Sequence, residues 1–190
     1  MKRHEFEHII AAAANVLGHD VFVVIGSQAI LGAVPDPPEE LLVSMEADLY
    51  PLLDPARAID VEGALGDGSQ FAKAFGYYAH GVGPETAKAP LGWQDRLVRV
   101  DIPPRVGSTR APVALCLEPH DLVLAKLVRG GARDIDYAAT AVQAGLVDVT
   151  VLRCRVVDLQ VDPAIVEIVG ARVSVLAGPA ADGPDVNRRA

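Results

Sequence analysis

Residues 21–48 leave this chain few ways to fold. They read as an apolar strand, VFVVI, bounded by Asp20 and Gly26; a Gly26-Ser27 turn; a short helix, QAILGAV; and a second strand over 41–50, LLVSMEADLY, that carries Glu46 and Asp48. A continuous β-branched and aromatic run without polar alternation is the pattern of a strand covered on both faces. Side chains alternate along a strand, so Glu46 and Asp48 project from one face with Ser44 beside them. Two carboxylates on one face repel unless something neutralises them. Magnesium does so, taking one or two carboxylates together with phosphate oxygens and water; the alternative is a solvent-facing strand edge. Gly26 permits torsions and close approaches that a side chain blocks, and Ser27 suits the cap of a helix starting at Gln28, where exposed amides could hold phosphate. A plain helix cap has the same appearance. No glycine-rich dinucleotide fingerprint and no P-loop occurs anywhere in the chain.

The remaining pattern predicts an α/β (α+β) fold, a mixed sheet flanked by helices with a C-terminal helical part. Apolar residues Phe6, Ile9, Ile10, Ala13, Val16 and Leu17 recur at helical spacing and stop at Gly18. Helices are expected over 54–65 and 69–75, and strands over 77–82, 96–102 and 112–117. On the strand over 96–102, Arg99 and Asp101 share a face, so Asp101 either completes a three-carboxylate metal cluster with Glu46 and Asp48 or pairs with Arg99. The polar loop over 103–110 is expected to be mobile. After Pro119 the period becomes helical, with Gly130-Gly131 as an interruption. Lys126, Arg129 and Arg133 share one helix face by spacing if those glycines do not break it. The expected organisation is a core over 1–117, a helical subdomain over 118–177 and a flexible tail over 178–190, which is rich in Pro, Gly, Asp and Arg.

Charge and composition narrow the function classes. The formal net charge of -8 argues against non-specific wrapping of nucleic acid, and 5 % aromatic residues against a base-stacking platform. The charge is uneven: residues 34–67 hold nine acidic side chains against Arg57 alone, whereas residues 96–133 hold seven Arg or Lys against three acids. One segment suits a cation and the other an anion. Cys116 and Cys154 stand far apart without clustered partners, which suggests reduced thiols rather than a disulfide framework or zinc knuckle. The first 20 residues are too amphipathic for a signal or a membrane span, so no membrane partner and a cytoplasmic location are expected. His80 and His120 lack spaced partners and read as capping or packing groups, and Asp121 as a helix cap.

Three segments together carry a resemblance: VVIGSQAILG with LLVSMEADLYP, ETAKAPLGWQDRLVRV, and CLEPHDLVLAKLVRGGARDIDYAATAVQAGLV. They resemble the nucleotidyltransferase fold of the DNA polymerase β superfamily, and within it the abortive-infection and mycobacterial-type nucleotidyltransferase toxins and their bacterial relatives. The resemblance implies a phosphate-binding turn at Gly26 and Ser27, and a magnesium pair at Glu46 and Asp48. Lys126 would meet the phosphates of a nucleoside triphosphate, with Arg129 near it and Arg133-Asp134 on the family's basic-Asp pair. Two positions depart from the pattern: Glu46 stands in place of the usual Asp, and Gly131 where a second arginine is expected. The implied activity is magnesium-dependent nucleotidyl transfer to an RNA acceptor, tRNA among them, by a toxin with an antitoxin partner. The alternatives are a catalytically degenerate binding or regulatory protein and a small-molecule nucleotidyltransferase.

Overall fold

The computed structural model describes residues 1–104 and 109–177. Among them, five strands form one mixed sheet: β1 (Val21–Ile25), β2 (Glu46–Pro51), β3 (Tyr78–Gly81), β4 (Val98–Asp101) and β5 (Val113–Cys116), in the order β3-β2-β1-β5-β4. β1 lies at the centre, antiparallel to β2 and parallel to β5, and is buried from Phe22 to Ile25. The unbroken apolar run of VFVVI matches this double coverage. β2 keeps the alternation expected of it: Ala47 and Leu49 are buried, while Glu46 and Asp48 are half-buried on the opposite face.

The helices are α1 (Arg3–Leu17), α2 (Ile30–Ala33), α3 (Ala58–Leu65), α4 (Gln70–Phe75), α5 (Pro119–Arg129), α6 (Ala132–Gln143), α7 (Val149–Arg155) and α8 (Pro163–Leu176). The mixed α/β class expected from the sequence is thus observed. α1 buries Phe6, Ile9, Ile10, Ala13, Ala14 and Leu17 along one stripe and ends where Gly18 turns left-handed. α3 packs on β3 and against α1, α2 lies over β4 and β5, and α5 packs on α6, α7 and α8. Buried side chains of the sheet and of the C-terminal helices form one continuous apolar cluster.

Two boundaries differ from the sequence reading. The strand expected from Leu41 begins only at Glu46, because residues 39–41 form a 3-10 turn and the Ser44 hydroxyl accepts the Glu46 N–H at 3.1 Å. The Ser44 carbonyl is taken by the Gln28 side chain at 3.1 Å rather than by a neighbouring strand. The helix expected from Gln28 is a 3-10 turn, Ser27–Ala29, followed by the single turn of α2. Of the loop expected over 103–110, positions 105–108 lie outside the described residues, as does the expected tail from Gly178.

A buried charge network ties the C-terminal helices to the core. Asp121 on α5 is fully buried and accepts hydrogen bonds from Arg96 Nε at 2.7 Å and Arg155 Nη1 at 2.9 Å. Glu118 caps α5 and takes the same Arg155 guanidinium at 2.5 Å. Burial alone would raise the Glu118 carboxyl, but hydrogen bonds from His120 and Arg155 and their charges hold it down at about 2. The helix cap expected at Asp121 is therefore Glu118, and Asp121 joins three segments. His120 is a capping group: its Nδ1 lies 2.5 Å from Glu118 Oε1, and its Nε2 accepts the Asp148 N–H that precedes α7.

Removing one partner of a buried pair strands the other charges. Asp121→Ala should lower the free energy of unfolding by about 3 kcal/mol, measured by urea denaturation. Asp101→Ala, which breaks an exposed pair with Arg99, should cost less than about 1 kcal/mol. Equal losses in the two variants would contradict the assignment of Asp121 as the joining residue.

Candidate active site

Glu46 and Asp48 meet the end of β1, where Asp48 lies opposite Ile25. The parallel register of β2 with β3 sets Tyr78 beside Glu46 and His80 beside Asp48. His80 Nδ1 is 3.0 Å from Asp48 Oδ1 and 3.7 Å from Glu46 Oε1. The Tyr78 hydroxyl donates to Glu46 Oε2 at 3.1 Å. Among the described residues, Glu46, Asp48 and His80 are the one group of His, Cys, Asp and Glu whose ligand atoms gather this way, all within 4.8 Å of one another.

The sequence reads His80 as a capping or packing group, whereas its ring nitrogen lies against the acids. Its signal was present as Tyr78-x-His80, a period-two pair like Glu46-x-Asp48, but pairing register joins the two motifs and register is not written locally. Asp101 is not brought to this cluster. It lies on the outer strand beyond β5 and pairs through Val113 with Val21, at the opposite end of β1, where Arg99 Nη2 holds it at 2.6 Å.

Burial, and then the charge of Glu46, push the Asp48 carboxyl up from an ordinary 3.8 to about 6, against the pull of His80. Burial would lower His80, but its hydrogen bond to Asp48 and the surrounding charges of Asp48, Glu46 and Glu62 outweigh that and raise it. Two carboxylates crowded to this degree, with a nitrogen donor facing both, are a donor set that fits a divalent cation.

Gly26 is required by the same carboxylate. Its φ is 70°, and a Cβ there would fall 1.8 Å from Asp48 Oδ2. Ser27 is the first residue of the following turn and not its cap, a place taken by Gly26. Its hydroxyl instead accepts from Lys126 Nζ at 2.7 Å, and its carbonyl accepts from the Tyr137 hydroxyl at 2.9 Å.

Lys126 reaches this turn from α5 and is buried, 7 % exposed. Its ammonium lies 3.5 Å from Asp134 Oδ1 and 5.0 Å from the centre of the Tyr137 ring. Burial and the nearby Arg129 charge lower its pKa, with Asp134 opposing them. Asp134 takes a two-point fork from Arg129, through Nε at 2.7 Å and through Nη2. Burial would raise Asp134, but this fork and the Lys126 charge keep it below the usual carboxylate range. Gly130, at φ 67°, ends α5, so Arg133 sits on α6 and does not share a helix face with Lys126 and Arg129. The three cations nevertheless line one cleft.

That cleft has two lobes meeting at Glu46, Asp48, Lys126 and Arg129. A polar lobe of about 600 Å³ is bounded by Ser27, Ser44, Arg133, Asp134 and Tyr137. A lobe of about 420 Å³ is walled mainly by Ile25, Val82, Leu117, Leu122 and Val128. Acids on β2 thus face cations on α5 and α6 across a space of ligand size, an arrangement suited to an anion carried with a cation.

A family model described as a nucleotidyltransferase of unknown function (DUF6036) matches residues 4–166, which include every residue of this cleft. Comparison with curated proteins and with solved structures gives no significant match.

Gly26→Ala combines a left-handed torsion with a collision on Asp48. It should cost about 1–3 kcal/mol of stability and weaken Mn²⁺ binding at least about tenfold, read by denaturation and by paramagnetic titration. Wild-type binding in a folded Gly26→Ala chain would contradict the placement of Asp48. A carboxylate must lose its proton to take a cation, so a pKa raised to about 6 leaves affinity full above that pH and weakening below it, up to tenfold per unit. An affinity constant from pH 7.5 to 5 would show that Asp48 is not a ligand.

Proposed function

The chain belongs to this nucleotidyltransferase family of unknown function, and we propose that it transfers a nucleotidyl group from a nucleoside triphosphate to an RNA hydroxyl, with magnesium held by Glu46 and Asp48. The observation that carries the reading is the buried Lys126 ammonium seated on Ser27, across the cleft from the carboxylate pair. A phosphate chain needs both a cation and a hydroxyl, and Lys126 and Ser27 present the two together on the wall of the cleft.

The roles follow from position. When bound, the metal ion would supply positive charge to the phosphates and align the reacting oxygens. Ser27 Oγ and Lys126 Nζ would exchange their mutual hydrogen bond for phosphate oxygens. Arg129 and Arg133 bring further charge to the polar lobe, and Asp134 keeps Arg129 and Lys126 oriented. The apolar lobe suits a flat ring, either the base or the end of the acceptor.

The acceptor rests on the resemblance to toxin-type relatives, which favours RNA, tRNA among them, and implies an antitoxin partner in the cytoplasm. One observation supports a second reading, a binding protein that has lost catalysis. Glu46 stands where the resembled enzymes have Asp, and its extra methylene shifts the carboxylate where magnesium demands near-ideal octahedral geometry.

Incubation with labelled nucleoside triphosphates, magnesium and total RNA should give labelled RNA. Asp48→Asn should reduce the rate at least about 100-fold, and Lys126→Ala should weaken nucleotide binding as well as transfer. Undiminished labelling by Asp48→Asn would refute the site, and tight magnesium-dependent nucleotide binding without any transfer would favour the second reading.

A further inference from the structure

His80 sets a ring nitrogen beside the oxygens of the carboxylate pair. We propose that His80 is the third protein ligand of the cation site, and that its imidazole makes the site prefer a transition-series divalent ion over magnesium. The inference rests on the reading of Glu46 and Asp48 as a metal pair and adds to it the identity of a ligand and the class of metal.

Geometry supports the assignment. Adjacent ligands of an octahedral ion bound at about 2.1 Å lie about 3 Å apart, and His80 Nδ1 stands 3.0 Å from Asp48 Oδ1. The second carboxylate adds weight. Tyr78 holds Glu46 Oε2 at 3.1 Å, which leaves Oε1 turned towards His80 Nδ1 at 3.7 Å. One nitrogen therefore faces two carboxylate oxygens, and a hydroxyl outside the cluster orients one of them, as outer partners of metal ligands do. The register of β2 with β3 sets all three side chains next to one another on neighbouring strands, with their ligand atoms within 4.8 Å. His80 remains about half exposed, 48 %, which leaves further positions for water or phosphate.

Chemistry sets the preference. Magnesium is a hard ion that favours oxygen, whereas imidazole nitrogen suits transition metals. Replacing one oxygen by nitrogen shifts selectivity towards the latter. The alternative role for His80 is to hold Asp48 by a hydrogen bond without touching the ion.

Pulsed electron paramagnetic resonance of Mn²⁺ on the intact chain, without nucleotide, separates the two. The expected result is a ¹⁴N coupling that disappears in His80→Asn, with Mn²⁺ affinity at least about tenfold weaker. His80→Asp, which restores an oxygen donor on an exposed edge strand, should retain Mn²⁺ but lower the ratio of Mn²⁺ to Mg²⁺ affinity several-fold. Absence of ¹⁴N coupling, with Mn²⁺ binding still lost in Asp48→Asn, would overturn the role of His80 and leave the carboxylate pair standing. No Mn²⁺ binding, or binding indifferent to Asp48→Asn, would overturn both.

Discussion

The Asp48 carboxylate occupies the space that a side chain at position 26 would need. Much of the cleft follows from that close approach. It requires glycine at the end of β1, and Gly26 with φ 70° swings Ser27 out of the strand direction. It also buries Asp48 enough to raise its pKa and presents the carboxylate beside His80. Alternation along β2 then places Glu46, two residues earlier, on the same face.

The opposite wall depends on a different balance. Burying an ammonium is costly unless its donors are used. Lys126 meets that cost with the Ser27 hydroxyl, the Asp134 carboxylate and the Tyr137 ring. Asp134 is in turn neutralised by Arg129, so two cations share one acid at the rim of an acidic cleft. This leaves the wall with surplus positive charge facing the Glu46–Asp48 pair. The wall is held in place by the network of Asp121, Arg96 and Arg155, which fixes α5 against both the core and α7.

Much of this was legible in the sequence, where local chemistry decides the outcome. The run VFVVI announced a covered strand, the alternation in Glu46-Ala47-Asp48-Leu49 announced which side chains leave the core, and the helical period after Pro119 announced α5. What was not legible depends on pairing and on competition for hydrogen bonds. His80 joins the acids only through the register of β2 and β3. Asp101 shares the acids' residue type and strand alternation but lies at the other end of the sheet. β2 starts late because a hydroxyl and an amide side chain take the backbone groups that a longer strand would use. Gly130 was visible as an interruption, yet that Arg133 still reaches the cleft required the packing of α6 on α5.

The central claim is that the two walls act as one site for a metal ion and a triphosphate. The most direct measurement is a crystal structure of the chain with Mn²⁺ and a non-hydrolysable nucleoside triphosphate, with anomalous diffraction locating the metal. An anomalous peak bound by Glu46 and Asp48 is expected, with phosphate oxygens in the place of the Ser27–Lys126 hydrogen bond. Nucleotide bound elsewhere, with that hydrogen bond intact and no metal at the carboxylates, would contradict the claim.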